Sequence, residues 1–301
     1  MTAAAEALQQ ERPRLFSLAY RMLGSAGEAE DMVQEAYLRW FAQPQTGIES
    51  PPAWLTTVVT RLCLDELKSA RRRREQYPGV WLPEPVLLPE NEAGEAADPQ
   101  EHLHRLESVS LAFLVLLESL SPLERAVYLL AEVFDHSHAE VAAIVNRTPQ
   151  ACRQALRRAR LALDPPRPPP APAEKHRELL ATFLAACRRG DIEALTQLLA
   201  GDVVSRADGG GFTTAATRPV AGVRAVSRLF TGLSRQMPAD LQVQIEDVNG
   251  WPAAVMSLGG VVVSVLQLRA SEGGIHTIDN VLNPVKLQRV AAALGLKTAA
   301  G

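Results

Sequence analysis

Between Ser121 and Arg160 the chain carries three helix-start signals in close succession, SPLERAVYLLAEVFDHSHAEVAAIVNRTPQACRQALRRAR, leaving room only for short helices joined by tight turns. Ser121-Pro122-Leu123-Glu124 and Ser137-His138-Ala139-Glu140 are both S-x-x-E boxes, in which the serine oxygen accepts one orphan amide and the glutamate reaches back to another. Thr148-Pro149 offers an N-cap followed by proline at the first helical position, where its missing N–H costs nothing. Val141, Ile144 and Val145 give the middle helix one apolar face. The third helix places Ala151, Ala155, Leu156 and Ala159 inward and turns Gln150, Arg153, Gln154, Arg157, Arg158 and Arg160 outward. Two capped helices joined by a short Asn146-Arg147 turn have helix-turn-helix spacing. A small-residue inner face lets such a helix pack closely, and long donors on its outer face reach phosphates and base edges in a major groove. The plain alternative for the arginine run is a solvated helix face.

At 301 residues the chain exceeds what one core usually holds, so two or three domains are expected. No apolar run approaches the length of a membrane span, and MTAAAEALQQERPR lacks the order of a signal peptide, which predicts a cytoplasmic protein with no membrane partner. Cys63, Cys152 and Cys187 are odd in number and far apart, arguing against a disulfide framework or a CxxC metal site. His102/His104 and His136/His138 alternate near helix starts without a supporting cluster, so neither a metal nor a cofactor is expected. The net charge of −3 is unevenly spread: residues 78–108 hold seven acidic side chains and one basic, leaving +3 elsewhere.

Residues 6–41 read as two helices broken at Gly24-Ser25. The first keeps Leu8, Leu15, Leu18, Ala19 and Met22 at helical spacing. The second starts at Ser25-Ala26-Gly27-Glu28 and buries Met32, Val33, Ala36, Tyr37 and Trp40, with Glu28, Asp31, Glu35 and Arg39 on the opposite face. A polar loop from Gln43 leads to Pro51-Pro52, which opens a helix from Ala53 to about Ala70 with Trp54, Leu55, Val58, Val59 and Leu62 as its apolar contacts. It ends in Arg71-Arg72-Arg73-Arg74, more cations than a helix dipole calls for, which points to phosphate contact. Residues 78–100 lack any period and are rich in proline and acid, as an extended linker would be. Trp81-Leu82-Pro83-Glu84-Pro85 puts a large aromatic there that needs something to pack on. A helix from about Glu101 to Ser119 follows.

A polyproline spacer covers residues 164–173. From Glu174 the pattern becomes α+β. Leu179, Leu180, Phe183, Leu184 and Cys187 mark one helix, Ile192, Leu195 and Leu198 a second, and Pro219 to Leu233 a third. Then Leu241–Val248, Ala253–Leu258 and Val261–Ala270 are β-rich runs separated by Asn249-Gly250 and Gly259-Gly260, apt hairpin turns. Asp208 is the candidate general base if this domain were an enzyme, with His276 the nearby histidine. Valine, leucine and serine dominate the other inward candidates, which favours ligand sensing or protein docking over catalysis.

GSAGEAEDMVQEAYLRWF, PPAWLTTVVTRLCLDELKSARRRR and HSHAEVAAIVNRTPQACRQALRRAR, in that order and spacing, resemble bacterial RNA polymerase sigma factors of the extracytoplasmic-function class over roughly Pro13 to Leu163. The resemblance implies core RNA polymerase and promoter DNA as partners, with Asp31, Gln34 and Glu35 facing the polymerase. It also implies that the Gln43–Pro52 loop and the following helix, including Arg61, capture an unstacked base of the minus-ten element. The Arg153–Arg160 helix would read the minus-thirty-five element. Arg61 stands where many relatives carry Asn.

Helices followed by a curled antiparallel sheet resemble the SnoaL-like, ketosteroid-isomerase-like cone fold. WLPEP with Trp81 and Pro83, Asp208-Gly209-Gly210-Gly211, and Asn283-Pro284-Val285-Lys286-Leu287 resemble hallmarks of the sigma subgroup that carries this domain, although Val285 stands where the subgroup usually has Asp. The implied architecture is multidomain. Residues 1–77 dock on polymerase and melt DNA, 78–100 are a linker, 101–163 form the helix-turn-helix, 164–173 are a spacer, and 174–301 form an α+β cone regulating the sigma domains in cis. A small ligand in the cone is a candidate effector. The competing readings are a ligand-responsive repressor or activator, and a cone-fold enzyme tethered to a DNA-binding module.

Overall fold

The computed structural model describes residues 3–44, 47–87, 108–163 and 170–299, with side chains throughout except at 3–8, 70–73 and 75. The chain forms two compact units: Met1–Gln76 with Phe113–Pro165, and Tyr77–Ala112 with Pro166–Gly301. Residues 77–87, from the start of the expected linker, and 108–112, from the start of the expected 101–163 domain, both fall in the C-terminal unit.

In the first unit, α1 (Ala3–Leu23), α2 (Ala26–Ala42) and α3 (Pro51–Glu75) pack together. Gly24, at φ 69°, ends α1, and Ser25 Oγ accepts the Glu28 amide at 3.3 Å to start α2. Leu15, Leu18, Ala19 and Met22 of α1, Val33, Ala36 and Trp40 of α2, and Leu55, Val59, Cys63 and Leu67 of α3 are all buried. Trp54 meets Trp40 edge-on at 5.3 Å. The apolar period did not flag Thr56 and Thr60, yet α3 buries both. Their hydroxyls donate to the carbonyls of Pro52 at 2.8 Å and Thr56 at 2.7 Å, which spares them a partner elsewhere.

Four short helices follow: α4 (Leu111–Leu117), which starts in the other unit, α5 (Pro122–Tyr128), continued by a π turn at Leu129–Val133, α6 (His138–Ile144) and α7 (Pro149–Leu163). Both S-x-x-E boxes close reciprocally. Ser121 accepts the Glu124 amide while Glu124 accepts the Ser121 amide at 3.0 Å, and Ser137 and Glu140 do the same, the return bond being 2.8 Å. Thr148 Oγ1 accepts the Ala151 amide at 3.2 Å. Asn146 reverses the chain between α6 and α7 at φ 51°, a region asparagine tolerates. On α7 the buried face is Cys152, Ala155, Leu156 and Ala159, which corrects the expectation for Ala151. The i, i+3, i+4, i+7 row starts at Cys152, and Ala151 lies at its edge.

The second unit contains α8 (Ala173–Arg189), α9 (Ile192–Leu198), β1 (Leu199–Asp208), β2 (Val220–Ala221), α10 (Val223–Ser234), β3 (Gln242–Val248), β4 (Trp251–Leu258), β5 (Val261–Ser271), β6 (Gly274–Val281), α11 (Pro284–Ala293) and β7 (Lys297–Thr298). The strand order is β2-β1-β6-β5-β4-β3, with β7 on β5. Both hairpin turns form as expected, Asn249-Gly250 and Gly259-Gly260 all having positive φ. The sheet is mixed rather than purely antiparallel, because β1 pairs parallel with β6. Those two strands escaped the sequence reading. β1 is interrupted by Gly201-Asp202, where its register shifts, and β6 carries His, Asp and Asn, all weak strand signals. Of the helix expected from Glu101 to Ser119, residues 101–107 lie outside the described residues and the described part is helical over Leu111–Leu117.

Strand alternation gives this sheet two faces. Ala254, Leu266, Leu268 and Ile278 join Leu180, Phe183, Val226 and Phe230 of the helices in one core. The other face presents Ala253, Val265, Gln267, Asp279 and Val281, registered side by side, with Asp208 beside Val281. All six are buried, and three of them are polar. This second face positions the clasp described below.

Candidate nucleic-acid interface and linker clasp

The outward side of α7 carries the expected donors. Gln150, Arg153, Gln154 and Arg157 are exposed and make no hydrogen bond or ion pair among the described residues. Arg158 pairs with Glu124 at 2.5 Å and Arg160 with Glu132 at 2.6 Å, so α5 and the π turn brace the helix from behind. A shallow groove lined by His138, Arg153, Leu156, Arg157, Arg160 and Leu161 runs between α6 and α7.

Arg61 projects from α3 to the carboxyl end of α6, where Nε donates to Ile144 O at 2.9 Å and Nη2 to Ala143 O at 3.0 Å. A guanidinium there satisfies orphan carbonyls and complements the helix dipole. The same donors cannot simultaneously hold an unstacked base. Arg74 also departs from the expected phosphate contact. It turns inward, pairing with Glu118 and donating to Leu23 O at 2.5 Å. Arg125, only 3 % exposed, donates to Met22 O and Glu118, each at 2.7 Å. One carboxylate thus serves two guanidiniums, and nothing in the sequence period singled out Arg125 or Glu118. The side chains of Arg71, Arg72 and Arg73 lie outside the described residues.

On α2, Asp31 and Gln34 are exposed and Glu35 pairs with Arg39 at 2.8 Å. Leu38 and Phe41, 59 % and 63 % exposed, extend the same helix as apolar surface that the sequence reading did not remark.

The regulatory candidates converge in the second unit. Asp208 ends β1 with 0 % exposure, and its carboxylate accepts from Tyr77 Oη at 2.6 Å, the Leu82 amide at 2.8 Å, the Gly210 amide at 3.0 Å and Lys286 Nζ at 2.7 Å. Four donors, one of them cationic, are what a fully desolvated carboxylate needs. Lys286 also donates to Leu82 O and sits 4.1 Å from the Trp81 ring centroid, a cation–π contact. Asn283 caps α11, accepting the Val285 amide at 3.0 Å, while its Nδ2 donates to Tyr77 Oη at 2.8 Å. Burial, followed by the Asp208 carboxylate, pushes the Tyr77 hydroxyl well above the usual phenol range, so it stays a donor.

The glycines make room for this. Gly210 has φ +59°, and a Cβ there would run into the Asn283 amide and approach the Tyr77 hydroxyl. A Cβ on Gly209 would meet Thr213 O, and one on Gly211 would crowd Pro78. Trp81, Asp208 to Gly211, Asn283 and Lys286 thus form one clasp. Pro83 is buried beside it, Pro284 opens α11, and Glu84 pairs with Arg289 at 3.2 Å. Sequence reasoning missed Tyr77, the fourth corner. It sits at a helix exit with no period around it, and only its proximity to WLPEP hinted at a role.

A helical unit presenting basic and glutamine donors on a helix-turn-helix, joined to an α+β cone that grips the chain between its helical segments, defines a promoter-recognition subunit, and the chain belongs to the extracytoplasmic-function RNA polymerase sigma factors. Residues 7–73 match the family model of Sigma-70 region 2, and residues 110–163 that of Sigma-70, region 4. The chain is 36 % identical over 292 residues to the ECF RNA polymerase sigma factor SigJ of Mycobacterium tuberculosis, covering 93 % of this chain and 91 % of that one. It is 33 % identical over 295 residues to the probable ECF RNA polymerase sigma factor SigI of the same organism, covering 96 % of each. The crystal structure of M. tuberculosis SigJ superimposes with a TM-score of 0.72 at 33 % identity, covering 95 % of this chain and 97 % of that one. The C-terminal unit is therefore shared with these relatives. This chain is a sigma factor that directs promoter-specific initiation, built from helical sigma domains and a C-terminal α+β domain.

Proposed function

We propose that the C-terminal cone modulates the sigma activity of the same chain by gripping the segment between its helical sigma regions, and that Gln150, Arg153, Gln154 and Arg157 contact promoter DNA while Asp31, Gln34 and Glu35 face core RNA polymerase in the cytoplasm. The single observation that carries the regulatory part is the Asp208 clasp: a buried carboxylate of the cone has as donors Tyr77 and Leu82 from the segment that leaves α3. A sensor that acted only on its own ligand would have no use for that segment. Release or tightening of the clasp shifts the population of molecules able to engage polymerase and promoter together.

Two features support a non-catalytic cone. Asp208 is sealed by its four donors, whereas a general base must reach a substrate proton. Ser271, His276 and Asp202 are linked in the order of a hydrolytic triad, with Ser271 Oγ 2.8 Å from Nε2 and Asp202 2.7 Å from Nδ1. Ser271 is only 3 % exposed, however, and its Oγ accepts the Gly273 amide at 3.1 Å, so the chain of bonds braces the β5–β6 turn. The test is run-off transcription with purified core polymerase, comparing the full chain with one ending at Pro172. A sigma factor gives a specific transcript only with core enzyme, and removal of the cone changes its yield. Operator binding by the protein alone, with no transcript, would support a repressor instead.

A further inference from the structure

Asn249 lies in the β3–β4 turn at φ 53° with 0 % exposure, and its side chain is engaged by two stretches of chain far from the turn in sequence. Oδ1 accepts the Val86 amide at 3.1 Å, in the segment that leaves α3, and the Asn249 amide donates back to Val86 O at 2.8 Å. Nδ2 donates to Val109 O at 2.8 Å, in the turn that leads into α4. Gln267, 4 % exposed, braces the same place: Nε2 donates to Val248 O at 2.7 Å and Trp251 O at 3.2 Å, on either side of the turn, and Oε1 accepts the Leu111 amide at 3.3 Å. A hairpin turn asks of Asn-Gly only its left-handed backbone, not a buried asparagine side chain. Of Asn91, Asn146, Asn249, Asn280 and Asn283, Asn249 alone is followed by glycine, whose amide nitrogen has no side chain beside it. That pairing is the one most open to intramolecular attack on the asparagine amide, and here the groups that would react are tied to the segment.

We infer that Asn249 is a deamidation site guarded by the segment it binds, so that release of Val86 and Val109 opens it to a one-way chemical change. In the reaction the Gly250 amide nitrogen gives its proton to solvent base and attacks Cγ of Asn249. The N–Cγ bond forms, the Cγ–Nδ2 bond breaks, and the nitrogen takes a proton from solvent and leaves as ammonia. Water then opens the cyclic imide at either carbonyl, giving aspartate or isoaspartate. Water is the only co-reactant, and nothing is oxidised or reduced. To bring Cγ over the Gly250 nitrogen the side chain must rotate away from Val86 and Val109, which breaks both of its bonds, and the left-handed turn must relax. The rate in the folded protein is therefore the intrinsic rate scaled by the open fraction. The product does not fit the closed form. An aspartate at 249 has no donor for Val109 O and sets a carboxylate oxygen against it in a site without solvent. Isoaspartate reroutes the backbone through the side chain and abolishes the turn. A molecule that has let go of the segment and reacted cannot take it up again in the same way. For initiation the consequence rests on the reading that the cone acts in cis: reacted molecules keep the loosened state permanently.

The experiment ages full-length protein in warm, mildly alkaline buffer and scores the tryptic peptide Gln236–Arg269, in which Asn249 is the only asparagine, for deamidation and isoaspartate. Wild type, Trp81→Ala, Gln267→Met and a urea-unfolded sample are compared, with folding of the first three verified by thermal melting. Folded wild type is expected to react far more slowly than the unfolded chain. Trp81→Ala, which loosens the segment at its Lys286 contact, should raise the folded-state rate about fivefold, the equivalent of ~1 kcal/mol. Gln267→Met should raise it as well. Low urea separates segment release from global unfolding: release exposes little surface, so the rate stays flat where a globally gated one climbs. Equal rates in folded wild type and both variants, no reaction in any folded sample, or a rate that climbs with urea as unfolding does would each overturn the inference. Gly250→Asn, in which the new side chain tolerates the left-handed backbone while crowding the attacking nitrogen, should suppress the reaction. Transcription with core polymerase then reads the consequence: Asn249→Asp and aged wild type should shift yield alike, and aged Gly250→Asn should not. If Asn249→Asp leaves yield unchanged while ending the chain at Pro172 changes it, the regulatory part of the inference is overturned. If ending the chain at Pro172 changes nothing either, it is the cis reading that has failed, and the peptide map still decides the site.

Discussion

Lys286 places its ammonium 2.7 Å from a carboxylate oxygen of Asp208, a residue with no solvent exposure; Asp208 ends β1, and Lys286 sits in α11 just past the end of the adjoining parallel strand β6. Such a pair is held by mutual compensation, because removing either partner strands the other charge in a dry site. Lys286→Met or Asp208→Leu is therefore expected to destabilise the C-terminal unit by about 3–5 kcal/mol. The double variant Asp208→Leu/Lys286→Met should cost clearly less than the sum, since it leaves no lone charge. Urea unfolding of the four proteins measures the cycle, and strict additivity would show that the pair does not act as one.

His176 is buried and neutral in a fixed tautomer: Nδ1 is 2.9 Å from Ala171 O, and Nε2 accepts the Ala270 amide at 3.1 Å. Burial first, and then the Arg269 charge, hold its pKa below the ordinary histidine value, against hydrogen bonds to Ala171 and Pro172 that raise it. The unfolded chain takes up a proton near pH ~6.5 while the folded chain resists it. Protons therefore favour the unfolded state, and the contribution of His176 to stability is fully present above that pH and lost as pH falls below it. Melting temperature measured from pH 7.5 to 5.5 should fall, with a shallower slope in His176→Gln. An unchanged slope would place the titrating group elsewhere.

Val285 occupies the first turn of α11, two residues after the Asn283 cap, and is 49 % exposed. A carboxylate there would meet the positive end of the helix dipole. Val285→Asp is expected to stabilise the unit by about 0.3–1 kcal/mol at low ionic strength. The gain should shrink in high salt, and thermal melts at two salt concentrations read it.

Arg153 and Arg157 are solvent-facing on α7, without partners among the described residues. Arg153→Ala and Arg157→Ala should leave the melting temperature unchanged and weaken transcription from promoters that depend on the upstream element. Loss of a base contact relaxes discrimination at one position by about 1–3 kcal/mol, whereas loss of a phosphate contact weakens all sequences alike. Transcription from a set of upstream-element variants separates the two, and unchanged promoter preference in both proteins would remove α7 from the recognition surface.

Much of the fold was legible because local chemistry decided it. The capping boxes at Ser121 and Ser137, the cap at Thr148 and the turns at Asn249-Gly250 and Gly259-Gly260 form where their residue types require. The parallel strand pair was not legible, because β1 and β6 are joined across a long sequence separation and both carry polar interruptions. Trp81, Asp208, Asn283 and Lys286 were named as motifs, but Tyr77, Asn249 and Gln267 acquire meaning only from contacts far along the chain. The same holds for Arg61 and Arg74, whose inward bonds to Ala143 and Leu23 carbonyls no helical period announces. Single amides, hydroxyls and guanidiniums that find distant backbone partners leave no trace in a local pattern.

The central claim is that the cone's grip on the segment beginning at Tyr77 tunes initiation by the same chain. Trp81 offers the mildest way to loosen it, since its ring lies over Lys286 at 4.1 Å and carries none of the bonds to Asp208. The direct measurement is run-off transcription by full-length wild type and Trp81→Ala, at matched concentration with purified core polymerase and with folding verified. Loss of ~1 kcal/mol of cation–π contact predicts a change in transcript yield of about fivefold in one direction. Equal yields from the two folded proteins across promoters would contradict it.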